Sequence, residues 1–205
     1  VGSVKHPLGA SDFSSFLLQA QSSKAQIIGL ANAGGDFINS VKAANEFGIT
    51  KTAKLAGLLV FINDVHSLTL KNTEGLYLTD SWYWDANEET RAFAKRYFAV
   101  RKKMPSSLQA GDYSAALQYL KVVKEIGTDD SDKVMAALRK AKFNDLYQKN
   151  GYLRADGRVV HDMYLYQVKA QADSKYPWDY YKLVQTIPAE QAWTTKAESK
   201  CAAWK

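Results

Sequence analysis

Apolar positions fall along the chain in two rhythms, one of short uninterrupted runs and one of helical stripes. Ala25 to Ala31 is a nearly uncharged run carrying Ile27 and Ile28, the pattern of a parallel strand buried on both faces. Asn32-Ala33-Gly34-Gly35-Asp36 follows as a turn, with Asp36 placed to cap the next element. Phe37, Val41 and Ala44 then recur at helical spacing, and Gly48 stands where a helix-terminating glycine belongs. Before this unit, Val1 to Lys5 reads as a strand already in progress, and Phe13, Phe16, Leu17 and Ala20 form a helical stripe. After it, Leu58 to Ile62 predicts a third strand ending at Asn63-Asp64-Val65-His66, and Gly75 to Thr79 a fourth. Strands alternating with helices at this spacing predict an α/β fold with a mostly parallel sheet flanked by helices.

The rhythm changes at Ser81-Trp82-Tyr83-Trp84-Asp85. From Asn87 to about Gly127 the pattern is helical, and Pro105 divides two helices. Tyr113, Leu117 and Leu120 follow the second helix, and a third starts at a Ser131 cap and runs through Val134, Leu138 and Ala141. Beyond Asn150-Gly151 the pattern returns to β. Gly151 to Arg154, a turn at Ala155-Asp156-Gly157, and a strand from Arg158 to Val168 predict an antiparallel hairpin. The aromatic stretch Tyr176-Pro177-Trp178-Asp179-Tyr180-Tyr181 packs across another surface in this reading. The resulting segments are 1–80, 81–148 and 149–205, running α/β, helical and β again. A thin sheet and uncovered helices point to part of a larger two-lobed protein.

Composition narrows the classes of function. In 205 residues, 46% hydrophobic and 23% charged is ordinary for a water-exposed globular chain. A net charge of +6 favours anions, yet Lys and Arg are interspersed with Asp and Glu, which argues against nucleic acid as a partner. No apolar run approaches the ~20 residues of a membrane span. Cys201, the single cysteine, reads as an inert thiol or as half of a disulfide whose partner lies outside this chain.

Catalytic signatures are absent: there is no P-loop, no G-x-G-x-x-G, no G-x-S-x-G and no H-E-x-x-H. His6, His66 and His161 stand far apart, with no cluster at ligand spacing, so neither a metal nor another cofactor is expected. Asp64, His66 and Ser67 are too close in sequence to present triad geometry. In open α/β sheets, ligands sit beyond the carboxyl ends of strands. Asn32, Asp36, Asn63 and Asp64 at predicted strand ends, with Trp82 and Tyr113 as aromatic partners, therefore suit binding rather than turnover.

Several of these segments, taken in order, resemble one family. Ser11-Asp12-Phe13, Leu30-Ala31-Asn32-Ala33-Gly34-Gly35-Asp36, Glu46-Phe47-Gly48-Ile49 and Glu74-Gly75 carry the first part. Tyr83-Trp84-Asp85, Lys103-Met104-Pro105-Ser106, Gly111-Asp112-Tyr113-Ser114-Ala115, Asp156-Gly157-Arg158 and Trp178-Asp179-Tyr180-Tyr181 carry the rest. The chain resembles type I periplasmic solute-binding proteins of ABC importers, in the leucine/isoleucine/valine-binding-like group. The resemblance implies a periplasmic binding protein type I fold, with two α/β lobes joined by three crossings and closing on a ligand. It implies that this is the C-terminal portion, with residues 1–80 and 149–205 in the C-terminal lobe. The helices of 81–148 would pack on an N-terminal lobe supplied by the other half of the protein.

The resemblance further implies a secreted, periplasmic receptor, its signal peptide removed, that delivers an amino acid or an aromatic or organic acid to an inner-membrane ABC permease. Ligand-facing positions carried over are Asn32, Ala33, Gly34, Asp36, Asn63 and Asp64, with Leu108 and Tyr113 from the helical segment. This chain departs from the amino-acid binders of the family, in which an aromatic is usual near Ala33 and a glutamate near Asn63. Ala33 makes the pocket roomier, and Asp64 either replaces the glutamate or does not, so the resemblance alone does not choose between an amino acid and an aromatic acid. The same compartment would oxidise Cys201 to a partner in the other half. Alternatives are a ligand-sensing domain of the same fold and, from another class, an α/β enzyme.

Overall fold

The computed structural model describes residues 1–204. The chain divides into two compact units, one comprising Val1–Asp80 with Tyr164–Gln185, the other Ser81–Met163 with the segment from Thr186 onward. These divisions differ from those read in the sequence, because residues 149–163 cluster with the helices rather than with the sheet.

The first unit begins without a strand: residues 1–13 are irregular, and Gly9 N–H is held by the Asp36 carboxylate at 3.1 Å. Helix α1 (Ser14–Ser22) precedes β1 (Ile27–Leu30), which leads into α2 (Gly34–Glu46). Phe37, Val41 and Ala44 on α2 are fully buried, as their spacing predicts. At roughly 1.5–3 kcal/mol for each large apolar side chain, this face anchors the helix. Gly48 takes a left-handed conformation (φ 65°) just past the helix end, which a residue with a Cβ adopts only at a cost. β1 is not buried on both faces. Ile28 and Leu30 are inside, whereas Ile27 is 63% exposed, because alternate side chains point to opposite faces of the strand and only one face is covered.

The second strand is displaced from its expected place. β2 is Lys54–Gly57, not Leu58–Ile62, and pairs parallel with β1 from Ile27↔Lys54 to Leu30↔Gly57. Gly57 explains the shift. A Cβ there would lie 2.1 Å from Val60 Cγ2 and 3.1 Å from Phe37 Cε2, so the backbone turns back on itself where only glycine fits. Leu58 and Leu59 are consequently solvent-facing, Val60 is buried, and the chain enters α3 (Ile62–Leu68). A short α4 (Leu70–Thr73) and β3 (Tyr77–Asp80) complete this run. The sheet order is β1-β2-β3-β6-β7, with β6 (Met163–Val168) antiparallel to β3 and β7 (Tyr181–Ile187) at the far edge.

The second unit is mostly helical. Asn87 caps α5 (Glu88–Arg101) by accepting from Thr90 N–H, and Ser106 caps the 20-residue α6 (Ser107–Ile126). The third helix, α7 (Ser131–Leu138), is capped by Asp130 and not Ser131, since Asp130 Oδ1 accepts from Lys133 N–H at 3.1 Å. It stops three residues before Ala141. The hairpin is shorter than expected: β4 (Tyr152–Leu153) pairs with β5 (Val159–Val160), and the chain breaks step at His161-Asp162 before β6. The break is required because β5 faces β4 whereas β6 registers Tyr164 against Asp80 of β3. A short α8 (Ala189–Ala192) begins the tail.

Candidate functional site

β1 and β2 are parallel neighbours, so the turns at their carboxyl ends emerge on one side of the sheet. The first turn carries Asn32, Ala33 and Gly34. Ala33 occupies the N-cap position in extended conformation and offers no side-chain acceptor, and Ala33, Gly34 and Gly35 are exposed. The opening N–H groups of the 13-residue α2 are thus left without a side-chain cap, at the end where its dipole is positive. Asp36 is not a cap, contrary to the sequence reading. It lies within the first turn, is buried, and spends its carboxylate on Gly9 N–H.

Asn32 is fixed from two sides. Its Nδ2 donates to Ser40 Oγ at 3.0 Å and meets His6 Nε2 at 3.2 Å. His6 Nδ1 is 2.8 Å from the Pro7 carbonyl, which only accepts, so Nδ1 bears the proton and Nε2 is free to accept from the amide. Asn32 Oδ1 is buried with no hydrogen-bond partner. The second turn repeats this feature, since Asn63 Oδ1 is likewise buried and unpartnered. Two orphaned amide acceptors, one just after β1 and one in the first turn of the helix that follows β2, are uncommon in a folded chain.

Asn63 and Asp64 belong to the first turn of α3 rather than to a loop after a strand, a consequence of the displaced β2. Asp64 Oδ2 accepts from Phe61 N–H at 2.9 Å and closes the helix start. Burial pushes the Asp64 carboxyl above the ordinary 3.8, partly offset by that backbone hydrogen bond. His66 is also helical and does not approach a triad. Its ring stacks on Trp178 at 3.7 Å and 8°, its Nδ1 is 2.7 Å from Tyr180 Oη, and Ser67 Oγ donates to the Asn63 carbonyl. Nothing in the sequence signals these contacts, of which the hydrogen bond joins positions 114 residues apart (His66 and Tyr180).

Leu108 and Tyr113 lie on α6, in the second unit. Leu108 is 53% exposed. Tyr113 packs its ring 5.1 Å from Phe93, with the Arg96 guanidinium 5.9 Å above it. Of the eight predicted positions, the structure gathers Asn32, Ala33, Gly34, Asp36, Asn63 and Asp64 within the first unit. Trp82 is structural, donating from Nε1 to the Leu146 carbonyl at 2.9 Å and packing against Phe93. Among the described residues no group of His, Cys, Asp and Glu could hold a metal ion, and no helix is long and apolar enough to cross a membrane. Cys201 is exposed and free in this chain.

The family model described as periplasmic binding protein matches residues 1–174, and the chain belongs to that family. A periplasmic binding protein from Burkholderia mallei is 67% identical with a TM-score of 0.92, covering 98% of this chain and 54% of that one. A branched chain amino acid ABC transporter periplasmic ligand-binding protein from Burkholderia xenovorans LB400 is 48% identical, with a TM-score of 0.90, covering 100% and 55%. A solute binding protein of an ABC transporter from Rhodopseudomonas palustris BisB5, solved with 3,4-dihydroxy benzoic acid, shares the fold at 19% identity and a TM-score of 0.77, covering 91% and 51%. The chain therefore spans about half the length of the structures it matches. No match was found among curated proteins.

Proposed function

We propose that this chain is the ligand-gripping portion of a periplasmic receptor that hands a small amino acid or an aromatic or organic acid to an inner-membrane ABC permease. The observation that carries the reading is the uncapped start of α2 beside two orphaned amide acceptors, Asn32 Oδ1 and Asn63 Oδ1. Backbone N–H groups at a helix start attract a carboxylate, and a half-buried Asp64 attracts an ammonium. Together they complement an amino acid; with Asp64 protonated or shielded, they complement an organic acid. The Burkholderia xenovorans relative supports the amino-acid reading, and the bound dihydroxybenzoic acid in the Rhodopseudomonas structure supports aromatic acids within the fold.

The other half of the protein would supply the opposing lobe. Ligand contacts to both lobes would then favour the closed form over the open one, which is hinge closure as a population shift. The groups described here bind and orient, with no positioned nucleophile and base among them, so the reading is binding without turnover. Thermal-shift screening of the full-length protein against amino acids and aromatic carboxylates tests it. A ligand that binds the native state raises the melting temperature with concentration, by a stabilisation of about 2.7 kcal/mol at a hundredfold excess over Kd. No shift in either class refutes the reading.

A further inference from the structure

We propose that the second unit holds a pocket of its own for an aromatic carboxylate, apart from the α2 and α3 turns of the first unit. A cavity of about 760 Å³ lies between α6, the 143–148 segment, the β4–β5 hairpin and the tail. That volume falls within the roughly 300–1,000 Å³ typical of small-molecule sites. Phe143, Tyr147, His161, Met163 and Trp193 give it flat, apolar walls. Most polar groups along it are already committed. Ser114 Oγ and Gln118 Nε2 both donate to Asp145 at 2.7 Å, and Tyr147 Oη donates to Ser81 Oγ at 2.8 Å.

Arg158 is different. It lines the cavity and makes no ion pair among the described residues, while its guanidinium lies 4.9 Å from the Trp193 ring. Its neighbour Arg154 shows the contrast. Arg154 grips Asp156 through two nitrogens, donates to the Thr194 carbonyl at 3.0 Å, and stacks 3.7 Å over Trp204. One arginine of the hairpin thus secures the tail, and the other is left with a planar donor fork above an aromatic wall. A carboxylate satisfies that fork in bidentate fashion, and an attached ring lies against Trp193 and Tyr147.

The wall itself is rigid. Trp193 Nε1 donates to the His161 carbonyl at 2.7 Å, and Ala189 N–H donates to Asp162 Oδ1 at 2.9 Å. His161 does not compete for the anion as a second cation, because burial lowers its affinity for a proton and its Nδ1 is engaged by the Asp162 carbonyl at 2.7 Å. A ligand amine is disfavoured, since it would face Arg158.

The test is calorimetric titration of the full-length protein with 2-naphthoate, compared with Arg158→Gln, Arg158→Lys and, in the first unit, Asn63→Ala. Expected is a saturable binding component that Arg158→Gln weakens about tenfold or more and Arg158→Lys less, and that persists in Asn63→Ala whatever that variant does to the site of the first unit. Absence of binding overturns the proposal, as does an affinity unchanged in Arg158→Gln. Loss of all binding in Asn63→Ala, with no Arg158-dependent component left, also overturns it, by assigning the ligand to the first unit, and leaves the receptor reading standing.

Discussion

Gly57→Ala is the sharpest perturbation the fold offers, because it acts at the turn that sets β2 and carries the chain into Asn63 and Asp64. The new methyl would sit 2.1 Å from Val60 Cγ2 and 3.1 Å from Phe37 Cε2. Neither neighbour can yield easily: Val60 is 1% exposed with a branched Cβ, and Phe37 is 0% exposed. Overpacking of this kind costs about 1–3 kcal/mol. For a chain of this size that is a fall of roughly 2–12 °C in melting temperature. A urea titration followed by circular dichroism measures it. Paired with Val60→Ala, which removes the colliding methyl, the double-mutant cycle should show a coupling of about 1 kcal/mol or more, the double variant being less impaired than the sum. An unchanged midpoint for Gly57→Ala, or strict additivity in the cycle, would refute the account of why β2 ends where it does.

Three further outcomes are expected. Asp64 has a native pKa raised above its unfolded 3.8, so its contribution to stability is present below 3.8 and is lost as pH rises through the native value; Asp64→Asn should flatten that decline, and an identical stability–pH curve counts against it. Asp145→Ala leaves the buried Ser114 and Gln118 donors without their acceptor and should cost about 2–5 kcal/mol in denaturant unfolding, whereas a loss under 0.5 would show the network to be dispensable. Asn87→Ala removes the α5 cap and should destabilise by about 1 kcal/mol, with Asn87→Ser retaining most of it.

Much of the fold is legible in the residues because helical spacing and caps are local. The stripe Phe37, Val41, Ala44 and the terminator Gly48 locate α2 and its end, although the helix opens at Gly34, inside the expected turn, and Pro105 divides α5 from α6. Errors arose where partners far along the chain decide. Leu58 to Ile62 is the more apolar run, but β2 is set by its register against Ile27 to Leu30 and by a glycine that no side chain can replace. Arg158 to Val168 reads as one strand, yet its halves answer to different partners, Tyr152 and Asp80. In the candidate site, strand-end logic and the family resemblance both pick out Asn32 and Asn63. Their orphaned oxygens became visible only with the neighbours placed, as did the commitment of Asp36 to Gly9. Arg158 carried no signal of its own beyond a turn motif.

The strand pairing of Asp80 with Tyr164 has a consequence for how the polypeptide is made. Residues 81–163 emerge from the ribosome between two partners that must lie side by side, so the sheet stays unfinished while 83 intervening positions are synthesised. At about 5–20 residues per second that interval lasts roughly 4–17 s, long enough for the inserted helices to form first. A nascent β3 waits through that time with an open edge, and a slow codon run placed just after Asp80 would prolong its exposure to chaperones and proteases.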